Sequence, residues 1–357
     1  MIIAIVGPSS YLADNVINTT LSFIRRYAGP ALLITANEVT QLREQLEARI
    51  EPHVLVHCTE PLTDIMSVFS RAHLPVAVVI DDLYYHLAYL VDSRGAAWHG
   101  AFRDFMRALC VLQPVVIDKN TPLLRRGTVV TTLTDWLFKV SLAFKIDLTL
   151  DEVRKFIGDT FIAATNIVLS GSTKGERQSI RTADEFRNSL DPRDRAEIET
   201  ALCDYLPTLE GCKLTKITWR RQLFSSHDLP FGTSNIRIDT TGKARHLVFG
   251  PYLYIPVGRW RTIMRFAVEE ALSGCDLLVD VYSFGNNEIL FEGEIMYSIK
   301  SGAYSCEFEF DVIDATSQIE VRVFMKSGSI EGIFLFGDLD LIHVAEGRHQ
   351  KPMQIGA

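Results

Sequence analysis

From Trp260 to Val268 the chain alternates strictly. Trp260, Thr262, Met264, Phe266 and Val268 fall on one side, and Arg259, Arg261, Ile263, Arg265 and Ala267 on the other. A period of two with an apolar side and a mostly basic side belongs to a strand buried on one face only. Such a strand needs antiparallel partners and a second apolar layer to cover it. It follows Phe249-Gly-Pro-Tyr-Leu-Tyr-Ile255 and the tight corner Pro256-Val257-Gly258. More strands are expected at Asn235–Asp239, Asp276–Ser283, Ile289–Ile295, Tyr304–Val312, Gln318–Met325 and Gly332–Val344, with Gly, Asn and Ser turn signals between them. The spacing predicts an antiparallel β-sandwich of jelly-roll type over residues 232–346, followed by a tail, 347–357.

Residues 1–218 follow a different rule. Ile2–Val6 is a short apolar run, Gly7-Pro8-Ser9-Ser10 a turn, and Leu12–Tyr27 a helical pattern. Ala31–Thr35, Val54–Cys58 and Val76–Ile80 read as further strands between helical stretches; the all-apolar last run suits a strand buried on both faces, as in a parallel sheet. Val115–Ile117 reads as another short strand, Val129–Phe144 as a strand running into a helix, and Leu169–Ile180 as a polar loop. Thr149 with Glu152 three residues on marks a helix start, and Pro192 suits the first turn of a last helix. The alternation predicts an α/β domain, an open and mostly parallel sheet with helices on both faces, joined to the sandwich by a linker at 219–231.

A chain of 357 residues suits two domains, and its composition, 47% hydrophobic and 22% charged, is that of an ordinary globular protein. A net charge of −8 argues against a general nucleic-acid binder. The six cysteines form no CxxC pair, so neither a disulfide framework nor a metal site is expected. With no basic leader and no apolar run of membrane-spanning length, the expectation is a soluble, cytoplasmic protein without a transmembrane segment.

The N-terminal region resembles a sulfotransferase, with a fold of the P-loop type. Its opening strand, loop and helix resemble the place where that family binds the 5′-phosphosulfate of 3′-phosphoadenosine 5′-phosphosulfate. Val76-Ala-Val-Val-Ile-Asp-Asp-Leu-Tyr-Tyr-His86 is similar to the passage that supplies an Arg and a Ser to the 3′-phosphate. Leu133-Thr-Asp-Trp-Leu-Phe-Lys-Val140, Ile146–Glu152 and Lys174–Arg177 through Leu190–Arg195 resemble later passages of the same family. The resemblance implies that donor as cofactor, held by Gly7, Ser9, Ser10, Tyr11, Lys174, Arg177 and Arg181. It departs from the family in its charges. The first loop has no basic residue, and Asp81 and Tyr89 stand where the Arg and Ser belong. An aspartate beside a phosphate repels it by roughly a few kcal/mol at intermediate dielectric, so the donor site reads as degenerate.

The C-terminal region is similar to the carbohydrate-binding modules of bacterial glycan-modifying proteins, through Phe249-Gly-Pro-Tyr252, Pro256-Val-Gly-Arg-Trp260 and Ile319-Glu-Val-Arg-Val-Phe324. A sugar-binding set follows from aromatic stacking and bidentate hydrogen bonding: Tyr252, Tyr254, Arg259, Arg261, Tyr282, Asn286 and Asn287. The competing reading pairs Arg259, Arg261 and Arg265 with Glu307, Glu309 and Asp311 across strands. For catalysis the candidates are His57 and His86, whose imidazoles titrate near neutrality, and Asp82, beside Asp81 at the end of a central strand. Competing readings make Ser9 or Ser10 and Asp81 or Asp82 helix caps, and the histidines core residues. Together these features predict a glycan-recognising or assembly protein of bacterial polysaccharide biosynthesis, a pseudoenzyme with a degenerate sulfotransferase-like domain. The alternatives are an active carbohydrate sulfotransferase, in which one of those bases deprotonates an acceptor hydroxyl, and a structural protein. The expected partners are a carbohydrate or polysaccharide and a second copy in a homo-oligomer.

Overall fold

The structure, a computed structural model, describes residues 1–60, 63–162, 181–229, 236–270, 276–295, 301–344 and 354–356. The chain divides into two units, Met1–Leu190 and Asp191–Ala357.

The first unit runs β1 (Ile2–Val6), α1 (Tyr11–Tyr27), β2 (Ala31–Thr35), α2 (Val39–Glu47), β3 (His53–Cys58), α3 (Thr63–Arg71), β4 (Val76–Val79), α4 (Leu83–Arg94), α5 (Trp98–Val116), β5 (Leu123–Leu124), α6 (Val129–Ala143), α7 (Leu150–Ile157) and α8 (Ala183–Ser189). Its five strands are all parallel, in the order β2-β3-β1-β4-β5. Ile3, Ala4, Ile5 and Val6 are buried on both faces of the sheet, as a parallel sheet covered by helices requires. The carboxyl ends of the strands gather the turns after β1, β3, β4 and β5 along one edge, where ligands of open α/β sheets bind.

Two expectations fail in this unit. Val115 and Val116 end α5 and are not a strand; the period of three and four through Phe102, Phe105, Met106, Leu109 and Val116 carries on past Pro114. The fifth strand is only Leu123–Leu124. Val129–Phe144 contains no strand either. Leu133, Trp136, Leu137 and Val140 form one buried stripe against the core, and that packing outweighs the strand preference of Val129, Thr131 and Thr132. The expected cap at Thr149 does form, with Glu152 completing the reciprocal pair.

The second unit runs α9 (Pro192–Leu202), β6 (Lys216–Trp219), β7 (Ile236–Asp239), β8 (Arg245–Leu253), β9 (Gly258–Glu269), β10 (Leu277–Ser283), β11 (Glu288–Ile295), β12 (Gly302–Val312), β13 (Ile319–Met325), β14 (Ile333–His343) and β15 (Gln354–Gly356). They form two antiparallel sheets, β11-β10-β13-β8 and β15-β12-β9-β14-β6, with β7 also on β14. The alternation in β9 is realised: Trp260, Thr262, Met264, Phe266 and Val268 are buried. Leu277, Val279 and Val281 of β10 and Val321, Val323 and Met325 of β13 are buried likewise. Phe291 of β11 stacks on Phe308 of β12 at 4.3 Å, joining the two sheets through one core.

The division falls at residue 190, whereas the sequence reading sets the boundary at 218. Helix α9 belongs to the second unit, and β6 pairs with β14. Ser225, expected in a linker, exchanges backbone hydrogen bonds with Phe249. Among the described residues no helix is long and apolar enough to cross a membrane.

Candidate functional site

At the carboxyl edge of the parallel sheet, Gly7 has φ +151°, and a Cβ there would lie 1.9 Å from the Val79 carbonyl oxygen. The glycine lets β1 and β4 approach each other. Pro8, Ser9 and Ser10 are buried, and the Ser10 hydroxyl accepts the Ala13 N–H at 3.1 Å, so the helix-cap reading holds for Ser10. The Tyr11 ring meets Tyr89 edge-on at 4.7 Å, and the Tyr89 hydroxyl donates to Asp14 at 3.0 Å. Burial raises the pKa of the Asp14 carboxyl and of both phenols.

Asp81 is buried, and Arg126 donates to both of its oxygens, at 2.8 and 2.7 Å. The same guanidinium sits 3.6 Å over the Tyr85 ring. Asp82, expected as a base or acceptor-orienting group, accepts the Tyr84 N–H at 2.9 Å and caps α4. Arg181, expected to reach the cofactor loop, is bound to Asp92 through a bidentate pair and donates to the Ser189 hydroxyl at 2.8 Å. Lys174 and Arg177 lie outside the described residues.

His57 closes β3 and His86 stands in the first turn of α4, so both reach this edge. His86 Nδ1 lies 2.7 Å from the Ser9 carbonyl and must donate to it, which leaves Nε2 as the lone-pair nitrogen. Among the described residues Nε2 of neither His57 nor His86 has a partner within hydrogen-bonding geometry. Burial is the main cause that lowers both imidazoles to about 4, and for His86 the backbone hydrogen bonds to Ser9 and Ala101 and the Asp81 charge oppose the drop. Both are therefore neutral at pH 7. Ser9, Thr59, Glu60, His86, Arg94 and Arg107 line a cavity of about 140 Å³. Arg107 is paired there with Asp104 at 3.1 Å and Glu60 at 3.4 Å.

These residues do not fit a doubly phosphorylated nucleotide. The loop is buried, three of the described cations, Arg126, Arg181 and Arg107, are committed to carboxylates and only Arg94 of the cavity lining is not, and the space is below the roughly 300 Å³ at which small-molecule sites begin.

The second unit assembles a different surface. On the face of the four-stranded sheet turned away from the core, β10 presents Asp280 and Tyr282, and β13 presents Glu320 and Arg322 directly opposite them. Arg322 donates to both Asp280 oxygens at 2.6 and 2.7 Å and lies 4.7 Å over the Tyr282 ring. Tyr252 follows the β8 bend in a left-handed conformation, φ +62°. It hydrogen-bonds Glu320, whose carboxyl pKa burial raises. Phe284 stands between the tyrosines, 5.5 Å from Tyr252 and 5.0 Å from Tyr282, and is 46% exposed. The Tyr282 hydroxyl donates to Asn287.

Of the expected sugar-binding set, Tyr252, Tyr282 and Asn287 come together here. Asn286 is exposed in the adjoining turn. The other three do not join them. Tyr254 is buried, and its carbonyl accepts the Tyr205 hydroxyl at 2.6 Å. Arg259 lies on the other sheet and pairs with Glu309 at 3.0 Å, the cross-strand reading. Arg261 shares β9 with it, and its Nε is buried without a partner among the described residues. Asp280, Phe284, Glu320 and Arg322 are the residues that sequence reasoning missed. For Asp280, Glu320 and Arg322 the signal was polar side chains every second residue in β10 and β13, between apolar ones, whereas Phe284 lies in the turn after β10.

No protein-family model matches the sequence, and no curated protein matches it. Among solved structures, a mouse sulfotransferase, SULT7A1 complexed with PAP, is similar at 12% identity over 59% of this chain and 89% of that one, with a TM-score of 0.39. The carbohydrate-binding module TmCBM61, in complex with β-1,4-galactotriose, is similar at 13% identity over 36% of this chain and 88% of its own, with a TM-score of 0.23. The family 11 carbohydrate-binding module of the cellulase Lic26A-Cel5E of Clostridium thermocellum is similar at 15% identity over 39% and 93%, with a TM-score of 0.23.

Proposed function

We propose that this is a glycan-recognising protein that binds a neutral oligosaccharide on the four-stranded sheet of its second unit. The observation that carries the reading is the Tyr252–Phe284–Tyr282 wall beside the Asp280–Arg322 pair. The aromatic faces suit the apolar C–H faces of a sugar ring, and the fixed carboxylates and guanidinium suit its hydroxyls. Glu320, held by Tyr252 and 3.9 Å from Arg322, adds an acceptor with little freedom to lose on binding. The first unit, on this reading, carries a degenerate donor site in which Arg126, Arg181 and Arg107 are tied to carboxylates.

A glycan array probed with the full chain tests the proposal. Neutral oligosaccharides should bind, and Phe284→Ala should weaken them about tenfold, ~1.4 kcal/mol, without lowering the melting temperature, because Phe284 is half exposed. A blank array, or binding indifferent to Phe284, rejects it.

A further inference from the structure

The first unit holds a second and larger cavity, at the opposite edge of the parallel sheet. Pro75 and Val76 open β4 and Pro122 precedes β5, so the lining belongs to the amino ends of the strands. Its volume is about 770 Å³, well inside the range of roughly 300–1,000 Å³ for small-molecule sites. Met66 and Phe69 of α3, Val111 of α5 and Trp136 and Val140 of α6 supply apolar walls.

The polar groups of this lining are unevenly committed. The Asp118 carboxylate is taken up by its own turn, accepting from the Asn120 backbone at 3.0 Å, the Asn120 amide at 3.2 Å and the Thr121 hydroxyl at 3.4 Å. Lys139 is exposed, and among the described residues its ammonium donates to the neutral Asn120 carbonyl, at 3.3 Å. No acid is paired with it among the described salt bridges. Trp136 is 2% exposed, and its indole N–H has no partner among the described residues. A roomy apolar hollow with a cation on its lining, and an acid whose oxygens are turned to its own loop rather than to that cation, is complementary to an amphiphilic anion.

We propose that this cavity binds a small amphiphile with an apolar body and a carboxylate head, the body lodged against Trp136 and the head facing Lys139. The site is separate from the glycan-binding face and does not depend on that reading.

The test titrates the full chain with decanoate, and with decanol as its uncharged counterpart, following tryptophan fluorescence and melting temperature. Decanoate is expected to give a saturable fluorescence change and to raise the melting temperature by mass action. Trp136→Phe should remove the fluorescence change and keep the thermal shift. Lys139→Met, at an exposed position that keeps its apolar stem, should weaken decanoate about tenfold and leave decanol unchanged. Ala143→Phe, which fills the cavity from α6, should abolish binding of both. No saturable response to decanoate overturns the site. Retained binding in Ala143→Phe also overturns it, and equal affinity for decanoate in Lys139→Met overturns the carboxylate assignment.

Discussion

By its charge alone Asp81, at the end of a central strand, reads as a residue that repels an anion. In the fold that charge is already answered by Arg126, which arrives from the turn after β5. The result for an anion is the same for a different reason, because the acid consumes a cation that could otherwise hold phosphate. No local pattern ties residue 81 to residue 126, so the pair was illegible in the sequence. The histidines were legible in position and not in state. His57 and His86 do reach the carboxyl edge, but burial holds both near 4, against 6.5 in an open chain. Between those values the unfolded chain binds more protons than the native one. Stability therefore falls as pH drops from about 6.5 towards 4, by up to about 1.4 kcal/mol per pH unit for each imidazole. Asp14 opposes this, since burial raises its pKa and the native state then holds that proton more firmly. Denaturant unfolding of His57→Leu should lose about 1 kcal/mol per pH unit of that slope between about pH 6.5 and 5. A slope equal to the wild type's would mean that His57 titrates normally in the native state.

At the scale of elements, legibility followed periodicity. The two-residue period of β9 placed it inside a two-sheet sandwich, and the structure sets it between β12 and β14. The four apolar runs that became β1 to β4 were equally plain, because a parallel strand buried on both faces leaves an unbroken run. The failures came where two periods compete over a short span. Val129, Thr131 and Thr132 favour a strand locally, while the stripe from Leu133 to Val140 draws the whole segment into α6. The proposed binding face was only half read, since tyrosines advertise themselves one by one and an Arg322–Asp280 pair across two strands does not. The turn between β1 and α1 is a separate lesson, as its glycine looked like a phosphate loop and serves strand packing. Gly7→Ala would set a methyl group against the Val79 carbonyl in a backbone conformation that only glycine adopts readily. It should destabilise the first unit by about 3 kcal/mol or more, read by chemical unfolding. A loss below about 1 kcal/mol would show that β1 and β4 can move apart at no great cost.

For the whole molecule, the sign of the charge decides which glycans the proposed face could accept. The net charge is −8, so an anionic polysaccharide meets a repulsive background wherever no local basic patch intervenes. The proposed face supplies no such patch: Arg322 is neutralised by Asp280, and Glu320 adds an acid beside them. The basic side chains that do share one strand, Arg259 and Arg265, lie on the other sheet and are paired with Glu309 and Asp340. Recognition through rings and fixed hydrogen bonds, with little net charge exchanged, is only weakly screened by salt. Affinity for a neutral oligosaccharide should therefore change by less than about twofold from about 50 to about 500 mM salt, measured by titration calorimetry. A sulfated analogue of the same sugar should bind more weakly at low salt and recover part of the difference as salt screens the repulsion. Tighter binding of the sulfated form, lost as salt rises, would move the binding surface from the aromatic wall to the arginine row of β9.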